Sequence, residues 1–292
     1  MIMQKTTVNP VSIRGIGLHS GERSSIEILP AKENSGIFFV RNGVKIPALA
    51  GLVSETSLCT TLEHNSQKVK TIEHLMAAIA YMGIDNLEIR CSSEEIPILD
   101  GSALPFIFTL QEAGIRSQRE PKKFLKINKP VEVWEDDKIA VILPSEQTEY
   151  NVEIDFKHPS IGNQKYILDN NANFKQEIAK ARTFGFLEDI EKLKSKGLIL
   201  GGSVDNAIVL DKYAPINDLR FSDEFVRHKV LDTVGDLRLL GNFIGKFYSY
   251  KGGHALNNKL SRQVINQKAF EIVHVEEKYE MNQSEVLLCM SV

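Results

Sequence analysis

Residues 227–237 (RHKVLDTVGDL) bring together three side chains able to work on one ion or one proton. Read as a helix at about 100° per residue, His228, Asp232 and Asp236 fall within about 80° of one another. Val226, Val230, Val234 and Leu237 point roughly the opposite way, toward a core. A histidine and an aspartate four residues apart can share one metal ion. Two histidines and an aspartate from different elements would give zinc three protein ligands and leave a fourth position for water. Such a water loses its proton near neutral pH and becomes a nucleophile. The chain has seven histidines, His19, His64, His74, His158, His228, His254 and His274, so a second ligand must be chosen among them. His74 follows Glu73 near a helix start, where the imidazole can bind an ion while the carboxylate reaches its water. His254 follows Gly252 and Gly253 in a flexible turn, free to present its ring to a substrate. Each feature has a plainer reading. His228 and Asp232 fit a solvated helix face beside Arg227 and Lys229. Glu73 fits an acid favoured by the helix dipole. His254 fits an ordinary loop histidine. The protease pattern His-Glu-x-x-His is absent.

The elements that would position these residues are legible as periodicity. Ile72, Leu75, Met76, Ile79 and Met82 recur at helical spacing, predicting a helix over 71–82 capped by Thr71 and stopped by Gly83. A second helix is expected over 103–113, ending at Gly114. A long one is expected over about 223–239 and a last one over 258–270. Short helical pieces are expected at 175–180 and 189–196. Strands are expected at 25–29, 36–40, 86–90, 124–127, 131–134, 138–143, 150–156, 207–210 and 243–250. The charged, proline-containing stretch 116–123 reads as an interdomain linker. This divides the chain into an N-terminal α+β domain, 1–118, and a C-terminal α+β domain, 124–292. Both run strands, a histidine-bearing helix, a strand and another helix, which is a weak internal repeat. The fold class is α+β, not a doubly wound parallel sheet. Gly201-Gly202-Ser203 and Gly252-Gly253-His254 are too short to cradle a phosphate.

At 292 residues, 42% hydrophobic and 25% charged with net charge −3, the chain can bury a substantial core and lacks the basic excess of a nucleic-acid binder. No signal-peptide run and no apolar stretch long enough to span a membrane is present. Three scattered cysteines, Cys59, Cys91 and Cys289, argue against a disulfide framework and favour the reducing cytoplasm.

A set of segments in order resembles the zinc-dependent UDP-3-O-acyl-N-acetylglucosamine deacetylase family (LpxC) of Gram-negative lipid A synthesis. They are 15–21 (GIGLHSG), 57–60 (SLCT), 71–75 (TIEHL), 96–102 (IPILDGS), 181–186 (ARTFGF), 201–203 (GGS), 219–221 (LRF), 228–232 (HKVLD), 235–237 (GDL) and 253–257 (GHALN). The resemblance runs essentially end to end. It implies His74, His228 and Asp232 as zinc ligands, with iron(II) fitting the same set. It implies Glu73 as general base and His254 as general acid, with Thr183, Lys229 and Asp236 in support. It implies two similar domains packed helix to helix, with inserts near 53–70 and 183–211. The second insert carries Phe184, Phe186, Leu187, Ile190, Leu193, Leu198, Ile199 and Leu200. Part of it should form an apolar passage for the substrate's acyl chain, with Phe184, Asp189, Lys229, Leu198 and Gly201 as substrate contacts. The implied substrate is an acylated UDP-amino sugar bearing a 3-hydroxyacyl chain, and the implied enzyme is a monomer without stable membrane insertion. Cys59 lies in one of the shared segments and reads as a buried small hydrophobe, not a ligand. Two other readings are a zinc amidase acting on another acylated amino sugar, and a non-catalytic sugar-nucleotide or lipid-binding protein with a closed structural metal.

Overall fold

Alternating apolar residues build two five-stranded sheets whose strands connect in the same way. The computed structural model describes residues 1–169 and 172–276, so Cys289 and the end of the expected second domain lie outside the described residues. The first sheet runs Val11–Ile16, Arg23–Pro30, Leu87–Cys91, Ile37–Arg41, Val44–Pro47. The second runs Val131–Glu135, Lys138–Leu143, Lys246–Tyr250, Glu149–Asp155, Asn163–Leu168. In each, the only parallel pair is the third strand with the fourth; the other neighbours are antiparallel. Every second residue faces inward, as the two-residue period of a strand requires: Ile26 and Ile28 in one sheet, Val131 and Val133 in the other, are buried.

Six helices are found among the described residues: α1 (Glu73–Tyr81), α2 (Leu104–Ala113), α3 (Phe174–Glu177), α4 (Ile190–Ser195), α5 (Glu224–Leu237) and α6 (His254–Asn266). In each half a long helix precedes the strand that enters the middle of the sheet, and a second helix follows it: α1 and α2 in the first, α5 and α6 in the second. The weak repeat read from the sequence is therefore a repeat of topology, and the α+β class holds. Leu75, Met76 and Ile79 of α1 and Phe225, Val230 and Leu231 of α5 have no exposed surface. α1 packs along α5. They come close at Gly235, where a Cβ would lie 2.0 Å from the Glu73 carbonyl oxygen. Only a residue without a side chain allows that crossing.

Between the fourth strand and the long helix, each half carries an extra piece. In the first half it is a small sheet of Val53–Glu55, Thr61–His64 and Gln67–Val69. In the second it includes the parallel pair Phe184–Phe186 and Ile208–Leu210, with α4 between them.

Several local expectations are corrected. The stretch 116–123 is not a linker: Ile115–Pro121 is a strand paired antiparallel with Met3–Thr7, and Lys122 is buried. Its polar residues face outward from a two-stranded ribbon, so the apolar alternation that marks a strand is missing. Thr71 does not cap α1; it adopts φ +58°, and its hydroxyl donates to Glu95. Phe243 to Tyr250 is not one strand but two, because Ile244 pairs with Lys126 in a separate three-stranded sheet while Lys246 pairs with Leu143. α6 begins at His254, four residues before the expected start, so that histidine is helical rather than in a turn.

Candidate metal centre and cleft

α5 is buried along its whole length except at Arg227 and Lys229. The face carrying His228, Asp232 and Asp236 is thus not solvated; it is covered by α1 and α6. Burying a carboxylate among imidazoles is costly unless each is paired, and the pairing is specific. His228 Nε2 lies 3.4 Å and His74 Nε2 3.5 Å from the same oxygen, Asp232 Oδ1. The three ligand atoms lie within 4.8 Å of one another. A tetrahedral ion with ~2.0–2.1 Å bonds holds its ligands about 3.3 Å apart. Asp232 Oδ1 has no hydrogen-bond partner, whereas Oδ2 accepts from Lys229 Nζ at 2.9 Å. An orphaned, buried carboxylate oxygen facing two imidazole nitrogens fits a divalent cation. His228 Nδ1 lies 3.1 Å from the Ala181 carbonyl, which fixes the ring and turns Nε2 to the centre. Burial pushes the His228 pKa down to about 3, so the ring is neutral, the form that binds metal. Asp232 is held well below the usual carboxylate range: burial opposes this, and the Lys229 ammonium on Oδ2 is among the charges that outweigh it.

Two further groups stand beside the cluster. Glu73, the first residue of α1, is buried, and burial raises its pKa against the pull of His254 and His74. Its Oε2 accepts the Thr60 backbone N–H at 3.1 Å. His254, the first residue of α6, places Nδ1 2.8 Å from Asp236 Oδ2. Burial alone would lower this histidine, but Asp236 overrides it and holds the pKa at about 9. Asp236 is itself fully engaged: Thr60 Oγ1 donates to Oδ1 at 2.6 Å and Asn257 Nδ2 to Oδ2 at 2.9 Å.

Glu73, His254 and the three clustered residues line a cleft of about 320 Å³ together with Thr183, Lys229, Lys138 and Lys251. A second cavity of about 330 Å³ adjoins it; Leu18, Leu58, Thr183 and Phe184 belong to both walls. The second cavity is apolar over most of its surface, lined by Phe186, Ile190, Leu193, Ile199 and Val209, with Asp189 on its wall. Thr183 is pinned between the two: its N–H donates to Gly101 O at 2.9 Å and its carbonyl accepts from Ile208 N at 2.8 Å.

Among the residues singled out from sequence, His74, His228, Asp232, Glu73, His254, Thr183, Lys229 and Phe184 line the cleft, and Asp236 supports it from behind. Phe184 and Asp189 line the apolar cavity, but Leu198 and Gly201 do not. Leu198 borders a separate polar depression with Glu55 and Lys70. Gly201 is packed so tightly that a Cβ would meet the Gly17 carbonyl oxygen at 2.2 Å. That glycine packs one loop against another, with Gly17 and Gly21 on the side a Cβ would take. Cys59 is buried, its thiol pushed up to about 12 by burial, and it stands outside the metal cluster. Sequence reasoning missed Thr60 and Asn257 as supports of Asp236. Both sit inside shared segments, yet a threonine or asparagine carries no spacing signal of its own.

Residues 4–266 match the family profile described as UDP-3-O-acyl N-acetylglycosamine deacetylase (LpxC). A UDP-3-O-acyl-N-acetylglucosamine deacetylase of Nautilia profundicola is 49% identical, over 95% of this chain and 97% of its own length. One from Histophilus somni is 47% identical over 98% of both chains, and one from Hahella chejuensis is 47% identical over 95% of both.

Proposed function

The chain belongs to the UDP-3-O-acyl N-acetylglycosamine deacetylase family, and from that membership and the geometry of the cleft we propose how it acts. It is a metal-dependent amide hydrolase that removes the N-acetyl group of UDP-3-O-acyl-N-acetylglucosamine in lipid A biosynthesis. Water is consumed; acetate and the free sugar amine are released. His74, His228 and Asp232 hold the metal, which is zinc in this reading, since two imidazoles and a carboxylate leave one coordination position open. Bound there, zinc would acidify a water and polarise the acetyl carbonyl.

Glu73 takes the proton of the attacking water. A buried carboxylate with a raised pKa is a stronger base than an exposed one. The Thr183 hydroxyl, on the wall shared by both cavities, stabilises the carbonyl oxygen as it gains charge. An amine leaves poorly unless protonated, and His254, kept charged by Asp236, donates that proton. Lys229 holds Asp232 through Oδ2 and leaves Oδ1 for the metal. The apolar cavity accepts the acyl chain, with Phe184 at its junction with the cleft and Asp189 on its wall. At ~0.8 kcal/mol per buried methylene, a long chain supplies much of the binding energy. All ligands, the base and the acid come from one chain, which supports a monomer. No helix among the described residues is long and apolar enough to cross a membrane. The unpaired Cys59 and Cys91 support a cytoplasmic location.

The observation that carries this reading is a three-ligand metal cluster sharing one cleft with a buried carboxylate and a protonated imidazole. The test combines elemental analysis with a deacetylation assay on the UDP-sugar with and without its 3-O-acyl chain. Glu73→Ala and His254→Ala should each keep a full metal complement and lose turnover by at least about 10²-fold. Near wild-type turnover in a metal-replete Glu73→Ala enzyme would refute the base. Loss of metal on His254→Ala would make His254 a ligand. Equal turnover of the unacylated sugar would assign a different amidase substrate, and no turnover of either would leave a binding protein.

A further inference from the structure

We propose that His19 reads a hydroxyl group on the substrate's acyl chain and so selects hydroxylated over plain chains. This rests on the deacetylase reading above. The side chain lies on the wall of the apolar cavity, immediately after Leu18, one of the four residues that this cavity shares with the metal cleft.

His19 is 6% exposed, yet neither Nδ1 nor Nε2 has a hydrogen-bond partner. The residue is held by its main chain instead: its N–H donates to Glu95 Oε1 at 2.8 Å and its carbonyl accepts from Leu200 N at 3.0 Å. Glu95 cannot rescue the ring, because its two oxygens already accept from the His19 and Ser20 amides and the Ser20 and Thr71 hydroxyls. Burial lowers the ring's pKa, which favours the neutral form. A neutral imidazole offers one donor and one acceptor, and a hydroxyl can meet either. In a cavity that is apolar over most of its surface, with Phe186, Ile190, Leu193 and Ile199 on its wall, this is a polar group left unsatisfied until something polar arrives. A plain methylene at that place leaves the ring unpaired; a hydroxyl pairs it. Sites built to hydrogen-bond a hydroxyl reject the analogue lacking it far more strongly than apolar pockets reject one methylene. His19 also borders the polar depression that contains Glu55 and Lys70.

The experiment compares kcat/KM of the metal-loaded enzyme on UDP-3-O-(3-hydroxyacyl)-N-acetylglucosamine and on the plain acyl compound of equal length. Wild type should prefer the hydroxyacyl compound by about tenfold or more, the usual consequence of leaving one buried polar group unpaired. His19→Leu should bring the two within about threefold of each other, chiefly by loss on the hydroxyacyl compound. His19→Gln, whose amide both donates and accepts, should keep a preference. Calorimetry of the two deacetylated product amines with metal-free protein should show the same loss of discrimination, independent of turnover. A wild-type ratio near one, or a full preference surviving in His19→Leu, overturns the proposal. If wild type hydrolyses neither compound, the deacetylase reading fails, while the calorimetric comparison still decides the role of His19.

Discussion

Replacing Gly235 with alanine tests whether one close helix crossing sets the geometry of the whole centre. The added Cβ would lie 2.0 Å from the Glu73 carbonyl oxygen, 2.8 Å from its carbonyl carbon and 3.0 Å from its Cα. These are backbone atoms of α1, so no side chain can turn aside. Restoring a tolerable contact requires α1 and α5 to part by about 1 Å, because close-packed interiors do not absorb such an overlap elsewhere. His74 rides on α1; His228 and Asp232 ride on α5. The 3.5 Å separation of His74 Nε2 from Asp232 Oδ1 would open by a similar amount, against a tolerance of about 0.2 Å in metal–ligand distances. A 1 Å misplacement costs roughly 10²-fold in rate. Stability is the weaker readout. Overpacking costs about 1–3 kcal/mol, but alanine regains about 1 kcal/mol over glycine within a helix. Gly235→Ala should therefore lower kcat/KM by about 10²-fold and weaken metal retention in chelator competition, with only a modest fall in Tm. A variant matching wild type in both kcat/KM and metal affinity would refute the claim that this glycine sets the spacing of the ligands.

Two more outcomes follow from the partners of Asp236. Its carboxylate raises His254 to about 9 against the opposing effect of burial, so the imidazolium persists below that pH and is lost above it. The alkaline limb of kcat/KM should lie near pH 9, and Asp236→Asn, leaving burial unopposed by that charge, should move it sharply toward acid; a limb that stays near 9 in the variant would refute the assignment. Thr60→Val keeps the N–H that serves Glu73 but deletes the hydroxyl that donates to Asp236. Losing one hydrogen bond to a charged group should lower kcat by about tenfold, with KM and metal content unchanged and Thr60→Ser restoring activity; an unaltered kcat would make the contact incidental.

The legible parts of this molecule are those where one local period fixes the answer. α1 could be read because Leu75, Met76 and Ile79 repeat at the spacing of one helix face, and α5 because its valines do the same. The pairing of His228 with Asp232 was legible for the same reason, being a relation between neighbours on one helix. What failed involved partners distant in sequence. Thr71 looks like a cap until Glu95 takes its hydroxyl. The strand Ile115–Pro121 looks like a charged linker until Met3–Thr7 lies beside it. Thr60 lies 176 residues from Asp236, and nothing in its own neighbourhood marks it. His19 is the clearest case. Its importance lies in hydrogen bonds it does not make, and only a three-dimensional accounting of buried donors and acceptors exposes such an absence.

The repeated topology explains why the centre lies where it does. Equivalent helices of the two halves, α1 and α5, pack on each other, so an ion between them takes ligands from both and neither half can hold it alone. The extra pieces occupy equivalent places too, each directly before its long helix. They therefore reach the same cleft: Leu58 comes from the first, Thr183 and Phe184 from the second, and Thr60 of the first supports Asp236 behind it. The symmetry ends at the second helices. α6 begins with His254 against Asp236, whereas the first turn of α2, beginning with Leu104 and Pro105, carries no titratable group. A symmetric pair of halves can build a metal site, but an amide hydrolase also needs a base on one side and an acid on the other. In the proposed mechanism these are Glu73, from the first half, and His254, from the second; Thr60 bonds to both Glu73 and the Asp236 that contacts His254.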